Sequence, residues 1–291
     1  MEFYFLHNHY IPAEVKNGIH NVESVIVPEF YPELNNVYLG NPCHFNSVES
    51  YIEYVVQHGY YSPDTLYAIE NNRIINPKRI RETLFKYKEI GVKIIQLYCG
   101  ADNEFFSNKY GLTCEGKKLL TEISDAGLIL DLSHLSDVSA LSMAGMFQGK
   151  MIVSHCACSD LYSSLKPRSN SLTRGSINNL FKRIELFGVS FLNDIIAASE
   201  AEINSAQILK DIVAQILFFI DMVGIDKIAL SPDYIDTNYF SKRFNTELVF
   251  PDTLMTQNGL ILLNDKMSEF FSQNDVIKIF SGNVERLLLS S

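Results

Sequence analysis

Short apolar runs alternate with longer helical patterns along almost the whole of this 291-residue chain. The runs at 3–7, 24–27, 66–70, 93–98, 128–132, 151–154, 188–192 and 227–230 have strand length and the apolar, β-branched and aromatic character of buried strands. The segments between several of them carry helix signals of their own. "NPKRIRETLFKYKEIG" has Pro77 near its start and Gly91 just past its end. "INSAQILKDIVAQILFFIDMVG" repeats apolar residues at helical spacing and is closed by Gly224. The final helices are read in "NDKMSEFFSQN" and "NDVIKIFSGNVERLLL". Eight strands with helices between them, and no Pro/Gly/Ser-rich linker, predict an α/β fold: one (β/α)8 barrel domain over residues 1–291. A doubly wound parallel sheet is the alternative, because alternation by itself does not close a cylinder. Residues 29–58 lack clear periodicity and read mostly as loop, with a helix near 48–56.

A barrel mouth can serve many chemistries, and composition removes some of them. The formal net charge of -10 argues against a nucleic-acid or anionic-membrane partner, since both favour basic surfaces. No apolar run is long enough to cross a bilayer, and the first residues do not read as a signal peptide. The five cysteines are an odd number in a long chain, so reduced thiols and a cytoplasmic location are expected. Cys156 and Cys158 follow His155 with Cys-x-Cys spacing, but no second pair completes a structural thiolate zinc site.

Reactive groups in such barrels sit at the C-terminal ends of the strands. The first run ends in "FYFLHNHY", where strand parity puts Phe3, Phe5, His7 and His9 on one face. Glu70 ends the third run, His134 follows the fifth in "LDLSH", and His155 ends the sixth in "IVSH". Asp233 follows the eighth in "LSPD". Nitrogen and carboxylate donors around open positions are what a catalytic divalent ion requires, and a further Asp would accept the proton of an activated water. Taken singly, His134 and His155 are more often hydrogen-bonded structural residues than ligands, Glu70 could be a turn residue and Asp233 a helix cap. The coincidence of several such residues at the same ends favours a metal site. His20, His44 and His58 are read as surface residues in loops or helices.

With these positions marked, the chain resembles the renal (membrane) dipeptidases, zinc peptidases of the amidohydrolase-like barrel superfamily. "YGLTCEGKKLLTEISDAGLILDLSHLSD" is similar to that family's "GLT..G..L..E.N..G...D.SH.SD". "MIVSHCACSDLYSSLKPRSN" resembles its "PVI.SHS…PRN", and "IALSPDYID" its "G.GSDFDG". "SQNDVIKIFSGNVERLL" resembles the closing "S..D..KI.GGN.LRV". The resemblance implies a binuclear zinc centre held by His7, His9, a bridging Glu70, His134 and His155. It further implies that Asp233 handles the proton of a bridging water and that Arg168 grips a substrate carboxylate. A guanidinium fork suits that last task, since it makes two parallel hydrogen bonds to a carboxylate.

Two departures from the family pattern stand out. His9 replaces the Asp of the family's "H.D" pair, exchanging an anionic ligand for a neutral one. Cys99, in "QLYCGADN", stands where the family has a substrate-facing His, and a neutral thiol is only a weak donor. The resemblance therefore implies a metal-dependent hydrolase that cleaves the amide bond of a dipeptide or similar small substrate with a free carboxylate. A homodimer is a family-level expectation. The rival readings are a related amidohydrolase acting on an N-acyl amino acid, lactone or phosphoester, and a catalytically impaired barrel acting as a binding protein.

Overall fold

The computed structural model describes residues 3–8, 19–25, 66–69, 75–98, 102–107, 109–161, 171–191, 205–233 and 257–289. Eight parallel strands dominate: β1 (Phe3–Asn8), β2 (Ile19–Val25), β3 (Leu66–Ile69), β4 (Val92–Gln96), β7 (Ile129–Asp131), β8 (Met151–Cys158), β10 (Ile184–Ser190) and β11 (Ile228–Ser231). They neighbour one another in chain order, β1-β2-β3-β4-β7-β8-β10-β11. Strand order never reverses, so the sheet lacks the switch point of a doubly wound fold. β11 lies beside β1, bringing the sheet round on itself as a (β/α)8 barrel does. A short hairpin, β5 (Phe106–Ser107) with β6 (Gly111–Leu112), follows β4, and β9 (Ser171–Leu172) extends the end of β8.

Among the described residues six helices follow these strands: α1 (Ile80–Glu89), α2 (Cys114–Asp125), α3 (Asp137–Met146), α4 (Arg174–Leu180), α5 (Ser205–Val223) and α6 (Gln257–Ser268). Near the C-terminus, α7 (Gln273–Ile277) passes through a π-helical turn into α8 (Asn283–Leu289). Gly91 and Gly224 end α1 and α5 at φ of 95° and 85°, a conformation that costs a residue with Cβ. Thr113 caps α2 by accepting the Gly116 amide at 3.0 Å, and α2 buries Gly116, Leu119, Leu120 and Ile123 along one face. Thr113→Ala should lower stability by about 1 kcal/mol in a denaturant titration, because this amide loses its partner at a helix end.

Several boundaries differ from those read in the sequence. β2 occupies 19–25 rather than 24–27, because "IHNVESV" has an apolar residue only at every third position and hides from a search for apolar runs. His20 consequently lies in a strand, with its Cα opposite Tyr4, not in a loop or helix. The helix read at 264–274 instead begins at Gln257 and stops at Ser268, and Ser272 starts a new one by capping the Asp275 amide. β8 continues four residues beyond 154. The region 29–58, with its expected helix, His44 and His58, lies outside the described residues.

Among the described residues the core has two parts. A large cluster fills the space between sheet and helices, with Leu84 and Tyr87 of α1, Leu119 and Ile123 of α2, and Phe219 of α5 among its members. A second cluster joins one residue from each of six strands: Ala68, Ile94, Ile129, Ile152, Leu186 and Ala229. Val284, Leu287 and Leu288 of α8 complete it and plug the barrel at that level. Two residues further along the same strands the inward positions become Gln96, Asp131, Ser154, Gly188 and Ser231. The apolar layer is thus followed, toward the C-terminal ends, by a small and polar one.

Candidate metal centre

His134 and His155 meet above that polar layer. Their Nε2 atoms are 3.1 Å apart, and the rings meet edge to face with centroids 4.9 Å apart. His155 is fully buried and His134 partly so. Each reaches this position through a local irregularity. His134 sits between β7 and α3 at φ 65°, in the left-handed region, where Asn, Asp and His are the more tolerated residues. Asp233, buried just beyond β11, has φ 58°. Such backbone costs roughly 1–2 kcal/mol per residue, and strained positions of this kind concentrate at functional sites.

His155 is placed by a bulge. Opposite β10, Val153 pairs with Phe187 and Cys156 with Val189, so three steps on β8 face two on β10. The extra residue breaks the alternation of side chains, and Ser154 and His155 both reach the site. The Ser154 amide donates to Asp131 Oδ1 at 3.0 Å, while the Ser154 carbonyl accepts the Ser231 hydroxyl. Gly188 leaves the required space, since a Cβ there would collide with the Ser154 carbonyl and the Ser231 hydroxyl.

Asp131, itself buried, gathers the two Ser-His pairs. Its Oδ1 also accepts the Ser133 amide at 3.0 Å and the Ser133 hydroxyl at 2.8 Å. Its Oδ2 accepts the Ser154 hydroxyl at 2.5 Å, and Ser133 Oγ in turn accepts the His155 amide at 3.2 Å. Ser154 Oγ lies 2.9 Å from His155 Nδ1.

Cys156 and Cys158, the neighbouring thiols, are buried and free. Burial pushes the Cys156 thiol well above its ordinary range, with smaller contributions from Cys158 and Asp131. Burial thereby favours the neutral thiol over the thiolate. Among the described residues no group of three or more His, Cys, Asp or Glu side chains is placed to hold a metal. His9, Glu70, Cys99 and Arg168 lie outside those residues, and His7 is placed only as a residue of β1. The structure thus brings together His134 and His155, and sets Asp233 at the same end of the parallel sheet.

The pair fits a divalent ion. Two imidazole nitrogens about 2.0–2.1 Å from one zinc ion at tetrahedral angles would stand roughly 3.3–3.4 Å apart. The observed 3.1 Å is close to that separation, so a small opening of the pair would admit the ion. Sequence reading singled out both histidines but missed Asp131, Ser154, Gly188 and Ser231. Their signal was strand parity: each lies two residues beyond a member of the inner apolar cluster.

Comparison with known proteins agrees with this architecture. The amidohydrolase from Pseudomonas aeruginosa superposes with a TM-score of 0.73, covering 99% of this chain and 95% of that one at 17% identity. Dipeptidase AC, a metallopeptidase of family M19, gives 0.68 over 99% and 98% of the two chains at 15% identity. At these identities the match establishes the barrel. In sequence, dipeptidase aclJ of Aspergillus oryzae is 23% identical over 209 residues, which make up 69% of this chain and 46% of that relative. The matched part therefore spans less than half the relative's length. The model of the membrane dipeptidase family, peptidase family M19, matches residues 66–289, a stretch that contains Glu70, Cys99, His134, His155, Arg168 and Asp233. The chain belongs to the membrane dipeptidase family.

Proposed function

We propose that this protein is a metal-dependent dipeptidase, with zinc held by His7, His9, Glu70, His134 and His155 as two ions. The observation that carries the reading is the 3.1 Å approach of two imidazole nitrogens at the C-terminal end of the barrel of a membrane dipeptidase family member. When bound, the metal would acidify water and polarise the scissile carbonyl. Asp233 takes the proton of the attacking water on its carboxylate and passes it to the departing amine nitrogen. Arg168 binds the free carboxylate of the substrate through its fork, which restricts the site to short molecules. Support for a reducing, cytoplasmic setting comes from the free thiols of Cys114, Cys156 and Cys158.

Cys99 favours a second reading, in which the site keeps its metal but turns over slowly or prefers another small amide. Loss of an oxyanion donor typically lowers turnover about 100–1,000-fold. Metal per chain, measured by mass spectrometry on protein purified without chelator, and hydrolysis of a dipeptide panel test both. About two zinc ions per chain with dipeptide turnover are expected from a binuclear site. Two ions without turnover on dipeptides, but with turnover on N-acyl amino acids, would move the function to the second reading. No metal after incubation with zinc would overturn both.

A further inference from the structure

We infer that Asp131 acts through Ser154 as a positioning residue that fixes the tautomer of His155 and so presents its Nε2 lone pair to the metal. The inference rests on the metal-centre reading above and concerns a residue that does not touch the ion. A serine hydroxyl has one proton to give. At 2.5 Å the Ser154 hydroxyl gives it to Asp131 Oδ2, a short charge-assisted bond. The Ser133 hydroxyl, 3.1 Å from Ser154 Oγ, is likewise committed to Asp131, at 2.8 Å. Ser154 Oγ must then act as acceptor toward His155 Nδ1 at 2.9 Å, which places the ring proton on Nδ1. Nε2, the nitrogen facing His134, is left with its lone pair. The relay cannot readily turn, because the Ser154 backbone is held at its amide by Asp131 and at its carbonyl by Ser231 over Gly188.

Asp131→Asn is the decisive substitution, since it keeps the shape and reverses the direction. Oδ1 of Asp131 accepts three donors, so the Asn carbonyl must take that place and its NH2 must face Ser154. Ser154 then accepts from Asn and donates to His155 Nδ1, leaving the proton on Nε2. The metal-facing lone pair is lost. Ser154→Ala cuts the relay without reversing it, and Ser154→Thr retains the hydroxyl.

The test is long-range proton–nitrogen NMR of the 15N-histidine-labelled full chain, metal-free and at a pH where the imidazole is neutral, with His155 assigned by a His155→Gln control. Wild type should show the Nδ1–H form, Asp131→Asn the Nε2–H form and Ser154→Ala a mixture. Ser154→Thr should return toward wild type. In parallel, zinc affinity by chelator competition should fall about 10–100-fold in Asp131→Asn, the usual effect of losing a ligand's outer partner. A wild-type Nε2–H ring, or an unchanged tautomer in both Asp131→Asn and Ser154→Ala, would overturn the relay. If Asp131→Asn does not fold, the two Ser154 variants decide the same question. A wild-type chain that binds no zinc would overturn the metal-centre reading, while the tautomer spectra would still decide the relay.

Discussion

His155→Ala is expected to leave a folded barrel that has lost one metal ion and nearly all turnover. The ring is fully buried, and its Nε2 is one of the two nitrogens that meet at 3.1 Å. Alanine leaves His134 without its partner nitrogen, and burial, which pushes the Cys156 thiol up, raises the cost of a thiolate in its place. Removing a ligand should weaken binding by more than the roughly 10–100-fold typical of an outer-sphere change. If Lewis-acid stabilisation worth about 4 kcal/mol is lost with the ion, turnover falls about 1,000-fold. Mass spectrometry of metal content, kcat on a dipeptide and a thermal melt separate loss of metal from loss of fold. Full metal content with wild-type kcat would show that the His134–His155 pair is structural.

The fold was legible because helix ends and strand lengths are local properties. Gly91 and Gly224 close their helices where their spacing predicts, and the runs read at 66–70, 93–98, 128–132, 151–154, 188–192 and 227–230 overlap β3, β4, β7, β8, β10 and β11. What escaped were features set by tertiary partners. β2 carries His20, Asn21 and Glu23, so its apolar content does not announce a strand; pairing with β1 and β3 makes it one. The β8 bulge is equally silent in "IVSHCAC", since nothing in that string says that Ser154 and His155 must both reach the site. That outcome depends on Asp131, 23 residues earlier, and on Ser231, 77 residues later. The paired histidines were legible as residue types at strand ends, whereas the carboxylate that organises them reads simply as one more buried strand residue.

Asp233→Asn should separate proton transfer from metal binding. Asp233 is buried at φ 58°, and Asn is among the few residues that tolerate this left-handed backbone, so the substitution preserves the local turn. Alanine would add backbone strain to the loss of the carboxylate, and any fall in rate would then have two causes. Asn keeps the side chain's size and removes only its capacity to take up a proton. Loss of a general base typically costs about 100–10,000-fold, so kcat should fall within that range while metal per chain stays at the wild-type value. Three outcomes distinguish the possible roles of this residue. A fall in kcat with full metal content assigns the proton to the Asp233 carboxylate. A loss of metal together with activity makes Asp233 a ligand, and its strained turn then serves coordination. Unchanged kcat removes Asp233 from the reaction, and the proton must be carried by a group that strand-end reading did not single out.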